Sequence, residues 1–249
     1  MPLTPLVMTD VRIYYDSLDA TGFSNHVELS PVADVEDMTT FGSGGWQENI
    51  ATEKDTTALA TVFWQAGDLT MPDDTAFAQL ADATGPLTIV PTSGVVGSAA
   101  YLTKVVENSY KPAGDVGKLL KADLGFHGNT ALARGQILHP QGTARTTTGT
   151  GTAVQLGAVL ASQRMYANLH VLSIAGTATP TITVTVQSNV DNTFGAPTTR
   201  ISFGAATTLQ GQAGSAVGPI TDTWYRAIWT ISGTTPSFLF AVSAGIASK

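Results

Sequence analysis

Three carboxylates in close succession, Asp34, Glu36 and Asp37, are the first residues of this 249-residue chain whose types and spacing suggest chemistry. Paired carboxylates can share acid and base roles in a hydrolase, and clustered ones can hold calcium. Here the calcium-loop spacing and its glycine are missing. Asp34 and Glu36 alternate in an apolar, extended pattern that puts them on one face of a strand, so they read as an acidic strand face. A hydrolase built on this pair is the enzyme alternative, and no further motif stands behind it.

Other chemical signals fail on spacing. The segment PAGDVGKL, from Pro112 to Leu119, approaches a phosphate-binding loop, but proline replaces the first glycine and leucine follows Lys118 where Ser or Thr is needed. Gly42-Ser43-Gly44-Gly45 lacks both the dinucleotide-binding glycine spacing and a helix to hold a phosphate. Ser43 and Ser98 have no nucleophile-elbow motif around them. His26, His127, His139 and His170 are scattered and read as strand-end or surface histidines, with no close pair at metal-ligand spacing. With 0 cysteines, neither disulfides nor a thiolate metal site can form, which suits a reducing cytoplasm. No enzyme activity, metal or cofactor is expected.

An aromatic group, Tyr166, Trp224, Tyr225 and Trp229, could stack sugar rings. The alternation of Trp224 to Ile231 puts Tyr225 and Trp229 on a buried face, leaving Trp224, beside Arg226, as the outward candidate for a glycan contact. No basic stripe interleaved with aromatics exists for nucleic acid.

The elements that position these residues are mostly strands. Val11 to Tyr15 and His26 to Leu29 read as strands leading into a pair, Val32 to Thr40 and Thr56 to Trp64, joined by a long connection from Phe41 to Asp55. The first ten residues, with Pro2 and Pro5, read as an extended arm. Asp73 and Asp74 are N-cap candidates for one short helix over TAFAQLADA, with Phe77 and Leu80 three apart on the face expected to pack on a sheet. Strands follow at Leu87–Val90, Ala99–Asn108, Lys118–Phe126 and Ala133–Leu138.

From Pro140 to about Ala153 the sequence becomes a Gly/Thr stretch, read as a linker. Beyond it, TITVTVQ at Thr181 to Gln187, Trp224 to Ile231 and Ser237 to Ala244 alternate cleanly, as in a β-sandwich of Ig-like or jelly-roll-like type. The division expected is 1–140, a linker 141–153, and 154–249. Charge divides the same way: residues 1–140 hold 17 carboxylates and 7 Lys or Arg, a balance of −10, and the remainder is +3. The N-terminus has no basic segment before an apolar run, so no signal peptide is expected, and no apolar run is long enough for a membrane helix.

In succession, the acidic strand running into MTTFGSGGWQENI (Met38 to Ile50), the strand TTALATVFW, the helix AFAQLADA, the segment YLTKVVENSYKPAGDVGKLLKADLGFHG and LARGQIL resemble a major tail tube protein of a long-tailed, siphovirus-type bacteriophage. The C-terminal part resembles the β-sandwich appendages of phage virion proteins. The resemblance implies a mainly β fold with one short helix and a sandwich behind it. It implies a structural virion protein, assembled in the host cytoplasm, that forms hexameric rings stacked into a tube, with tape measure and terminator proteins as partners. Each subunit would lend four strands to one inner barrel. About 24 strands 4.8 Å apart, tilted roughly 40°, make a backbone circle about 48 Å across, wide enough for DNA to pass. An acidic wall does not hold phosphate, because that needs Lys and Arg.

On this resemblance Asp34 and Glu36 are lumen-facing candidates, and Phe41, Gly44, Trp46 and Glu48 form the subunit or ring interface. A chain cut near Thr148 is expected to keep its assembly. The alternative is a virion decoration or receptor-binding protein whose sandwich uses Trp224 and Arg226 on host glycans.

Overall fold

A computed structural model describes residues 8–68, 70–80 and 84–248. The first seven residues of the expected arm lie outside them, as do Ala81 to Ala83 at the end of the expected helix. In chain order the elements are β1 (Arg12–Tyr15), β2 (Leu18–Asp19), β3 (Ser24–Asp37), β4 (Asn49–Phe63), α1 (Pro72–Gln79), β5 (Thr84–Val90), β6 (Ala99–Ala113) and β7 (Lys121–Gly128). Then come β8 (Ala133–His139), β9 (Gly149–Thr150), β10 (Val154–Gln155), β11 (Gln163–Asn189), β12 (Thr198–Ser202), β13 (Gln210–Val217) and β14 (Trp224–Ser248). All pairings are antiparallel, and the strands join in one continuous sheet. The fold is mainly β with one short helix. Among the described residues no helix is long and apolar enough to cross a membrane.

The N-terminal part contains a four-strand run in the order β3-β4-β7-β6. Its strands alternate as half-buried strands do: Ala58, Ala60 and Val62 on β4 and Ala122, Leu124 and Phe126 on β7 are buried, while Thr57, Leu59, Thr61, Lys121 and Asp123 are half-buried on the other face. The buried row packs with Tyr15, Leu18, Leu87 and Ile89 into one core.

Two expectations change here. Strand β4 runs farther out than read, and β3 stops short of Thr40: Asp37 pairs with Asn49, so the connection is Met38 to Glu48, and Ile50 to Asp55 belong to a strand. Residues 49–55 pair with β3 without any burial of side chains, which apolar periodicity cannot report. In α1 the N-cap is Met71 with Pro72 following, and Asp73 and Asp74 lie in the first turn. The helix buries Pro72, Thr75 and Ala76, and Phe77 is 72% exposed, so the expected apolar face is not the packed one. Asp73 is held elsewhere: Trp64 Nε1 donates to it at 2.8 Å, and the Tyr110 hydroxyl donates to the same oxygen.

In the C-terminal part, β11 and β14 form a single ladder from Gln163↔Ser248 to Asn189↔Trp224. The ladder folds across itself. Trp229 and Phe240 are eleven residues apart on β14, about 36 Å if extended, yet their ring centroids are 5.5 Å apart. The reversal is made where Gly176, Ala178 and Thr179 on one strand and Gly233 and Thr235 on the other take positive φ. The strands read as separate at 224–231 and 237–244 are thus the two arms of β14. Their facing layers enclose a core of Leu169, Val171, Val184, Val186, Tyr225, Trp229, Phe238 and Phe240.

The sheet continues from one part to the other through β8, whose Arg134 to His139 pair with β14. Gly135 makes that approach possible, since a Cβ there would overlap Ala244 O and Gly245 Cα. The 141–153 segment, expected as a linker, is pinned along β14: Arg145 and Phe238 exchange backbone hydrogen bonds of 2.8 and 2.9 Å, Trp229 Nε1 donates to Thr147 O at 3.0 Å, and β9 pairs with Trp229 and Ile228.

Candidate functional site

The hairpin of β3 and β4 projects from the rest of the chain. From residue 31 to residue 55 no side chain is buried, and only Ser43 is partly covered. Its tip brings together the four interface candidates. Phe41 is fully exposed and Trp46 is 82% exposed, while Gly44 and Glu48 lie on the same short connection.

The tip is internally bonded. Met38 N donates to Glu48 O at 2.9 Å, Glu48 N to Thr39 Oγ1 at 2.9 Å, and Thr39 N to Asp37 Oδ1 at 2.8 Å. Thr40 N donates to Ser43 Oγ at 3.1 Å, and Ser43 N to Thr40 O at 3.0 Å. Hydrogen bonds from Thr39, and then from Gln47, hold the Asp37 carboxyl below its ordinary range. Gly44 and Gly45 take φ of 64° and 86°, a left-handed pair that lets the chain return. Two aromatic rings are therefore presented on an ordered scaffold with no core of its own.

Asp34 and Glu36 lie farther down the hairpin. Glu28 pairs with Leu59 and Ser30 with Thr57, so the even-numbered row of β3 shares the half-exposed face of β4. The register shift between Ala33 and Val35 adds its extra residue on β4, and Asp34 and Glu36 stay in the row of Glu28 and Ser30. That row belongs to an open sheet face with only a shallow depression of about 250 Å³ lined by Glu28, Ser30, Thr57, Asn108 and His127. No cleft surrounds the acidic pair.

The edges of this sheet matter as much as its face. Among the described residues β3 pairs with β4 alone, so its outer edge has no strand partner. Among the described residues, strand β6 pairs with β5 only up to Val106, and from Glu107 to Ala113 its strand partner is β7 alone. A four-stranded sheet with free backbone on both sides results.

The remaining candidates are placed differently. Trp224 is half-buried and paired with Asn189 and Gln155. Arg226 is committed within the chain: its guanidinium lies 4.1 Å from the Phe194 ring centroid and donates to Gln187 Oε1 at 3.2 and 3.0 Å. Tyr225 and Trp229 are core residues, as their phase predicts. The PAGDVGKL segment forms the end of β6 and the turn into β7, with no helix after it. Among the described residues no three His, Asp or Glu side chains gather as a metal site.

Sequence reasoning missed a buried polar seam between the two parts. His139 ends β8, as the strand-end reading expects, whereas His170 lies within β11, and both are buried. His170 Nδ1 is 2.8 Å from Asp16 O, and a carbonyl only accepts, so Nδ1 carries the proton and Nε2 accepts from Thr88 Oγ1 at 2.9 Å. Ser243 then donates to Thr88 at 3.1 Å, and Asn168 Nδ2 donates to Leu87 O at 3.0 Å and Thr103 O at 3.2 Å. Burial pushes both histidines down to about 4, so they are neutral. Ser243, Thr88 and His170 resemble a hydroxyl relay, but they are sealed from solvent and serve as a fully satisfied joint. Only the unusual density of Thr, Ser, Asn and His in otherwise apolar strands signals it.

No protein-family model and no curated protein matches the chain. Solved structures are similar to parts or most of it, among them the following. A chain in the virion of the native gene transfer agent particle, and one in the tail of the empty gene transfer agent particle with C6 symmetry, are each 16% identical with a TM-score of 0.41, covering 52% of this chain and 98% of theirs. The Dit protein of SPP1, titled a paradigm of the hub adsorption apparatus in phages infecting Gram-positive hosts, is 13% identical with a TM-score of 0.36, covering 95% of this chain and 99% of its own.

Proposed function

We propose that the chain is a structural virion subunit of a phage tail that closes into hexameric rings through its β3-β4-β7-β6 sheet, and that the rings stack into a conduit for DNA. The observation that carries this is the pair of edges without a strand partner among the described residues, β3 on one side and Glu107 to Ala113 of β6 on the other. A sheet open on both sides is a hazard for uncontrolled pairing unless a partner edge covers it, and closure of identical sheets into a barrel covers every edge at once.

The open face suits the inside of such a barrel. It carries small polar residues and the row that ends in Asp34 and Glu36, while its other face is committed to the core. Residues 1–140 carry −10 per copy, so a six-membered ring would present about −60. Phosphate is held by Lys and Arg, and DNA would pass such a wall without adhering. In this reading the hairpin tip, Phe41, Gly44, Trp46 and Glu48, contacts another copy. Tape measure and terminator proteins meet the tube at its core and end, and assembly in the host cytoplasm precedes incorporation in the virion.

The test is size-exclusion chromatography with negative-stain microscopy on the purified chain. Six-fold rings or tubes are expected. A folded chain that stays monomeric at high concentration, with neither rings nor tubes, would sink the proposal.

A further inference from the structure

The connection from β6 to β7 lies at the end of β4 opposite the hairpin tip. Phe63, the last residue of β4, pairs with Lys121, and Trp64 N donates to Leu120 O at 3.0 Å. Residues 49 to 63 span about 50 Å between the two ends. Both ends expose apolar groups that nothing among the described residues covers. At the far end Val116 is fully exposed and Leu119 is 73% exposed.

An open groove of about 850 Å³ runs between this turn and Phe63, with Lys118 and Lys121 on its walls and Asp115 beside them. That is a volume in which aromatic side chains can be desolvated. The hairpin is the chain's own charge complement to it. Residues 31–55 carry Asp34, Glu36, Asp37, Glu48, Glu53 and Asp55 against Lys54 alone, a balance of −5. Acidic and aromatic at one end, basic and aliphatic at the other, the two surfaces are unlike and lie at opposite ends of β4, so a contact between them joins identical chains head to tail along one direction.

We propose that the hairpin tip of one copy seats in the β6–β7 groove of a second copy, with Phe41 and Trp46 against Val116 and Leu119 and Glu48 directed to Lys118. This rests on the ring reading only for the number of joints made in parallel, six per interface. The contact gives the stack a direction, because each copy offers a tip at one end and a groove at the other. It is also salt-dependent, since its charge pairs lie at a solvated rim.

Because the chain has no cysteine, single cysteines report the contact directly. A tagged Gln47→Cys chain and an untagged Val116→Cys chain, each oxidised alone, are expected to give few disulfide-linked dimers, and their equimolar mixture is expected to give disulfide-linked mixed dimers in high yield. Equal yields of mixed and like dimers, or no dimers, would overturn the groove as the receptor whether or not rings form. Microscopy of the Lys118→Glu, Lys121→Glu double variant separates this claim from the ring. Intact six-fold rings that no longer stack, with stacking restored by adding Glu48→Lys, are expected. Tubes as long as those of the unmodified chain would refute the inference and leave the ring untouched.

Discussion

The β3–β4 hairpin and the folded ladder of β11 and β14 are both long antiparallel pairs, yet they use their side chains in opposite ways. Residues 31–55 bury none, whereas on β11 Met165, Ala167, Leu169 and Val171, then Ile182, Val184 and Val186, are all closed from solvent. The ladder becomes its own partner by folding across the corner at Gly176 and Gly233, so its apolar rows face each other. The hairpin has no such corner and no second layer. A bare two-stranded pair is marginal in water, and the proposed assembly would supply the hairpin's extension with the partner that the described residues do not. Buried apolar contact is concentrated in one region and exposed apolar surface in the other.

The sharpest way to break that division is to attack the seam that carries stability across it. Gly135→Val places a branched side chain where β8 meets Ala244 and Gly245, with no room for even one carbon. Overpacking of this kind costs about 3 kcal/mol or more when backbone is the obstacle. One cooperative urea transition with a much lower midpoint is expected, because β8, β14 and the His170 joint tie both cores together. Two transitions, only one of them displaced, would show that the cores melt separately.

Titration sharpens the comparison at intermediate size. Glu107 is fully buried at the point where β6 loses β5 as a partner, and neither carboxyl oxygen has a hydrogen bond; the Tyr15 hydroxyl faces it without reaching bonding geometry. Burial pushes its carboxyl from 4.5 up to about 8. The folded chain therefore keeps a proton that the unfolded chain sheds, and stability falls as pH rises from about 4.5 to 8. His139 and His170, pushed from 6.5 down to about 4, act the other way: the unfolded chain takes up protons first, and stability falls as pH drops from 6.5 to 4. With two histidines against one carboxyl, a stability maximum near pH 6.5 is expected from these three groups. Glu107→Gln should remove the alkaline decline and raise stability at pH 8 by at least about 1 kcal/mol, leaving the acid limb in place. Thermal unfolding midpoints from pH 5 to 8.5 measure both limbs. An unchanged alkaline limb would show that the carboxyl is already ionised in the fold.

What was legible in the sequence follows the same division. Clean alternation in Thr181 to Gln187, Trp224 to Ile231 and Ser237 to Ala244 marked real strand rows, because burial on one face writes itself into residue type. It did not show that the last two are one strand, since the corner at Gly233 looks like any turn. The outer hairpin was half-read as loop because exposed strands carry no apolar period. Its tip was still legible, as Phe41 and Trp46 stand out in a glycine-rich polar stretch. The free edge at Glu107 to Ala113 was invisible, because pairing partners are a property of the whole sheet. So was the seam, where Asn168, His170 and Ser243 look polar and surface-like until the hydrogen bonds that justify their burial are seen.

The smallest effect on stability should come from the residue with the largest expected effect on assembly. Trp46 is 82% exposed, and its backbone N donates to Ser43 O at 3.2 Å, a bond that survives truncation of the side chain. Trp46→Ala should therefore move the unfolding free energy by no more than about 0.5 kcal/mol, as for surface changes that touch no cap, core or buried polar group. A buried aromatic anchor is worth about 2 kcal/mol or more at an interface, and six joints acting in parallel multiply that loss. Tubes should be absent or short while chromatography and thermal unfolding of the single chain stay unchanged. Normal tubes from Trp46→Ala would mean that the exposed ring anchors nothing, and that the hairpin's missing partner lies along its edge rather than at its tip.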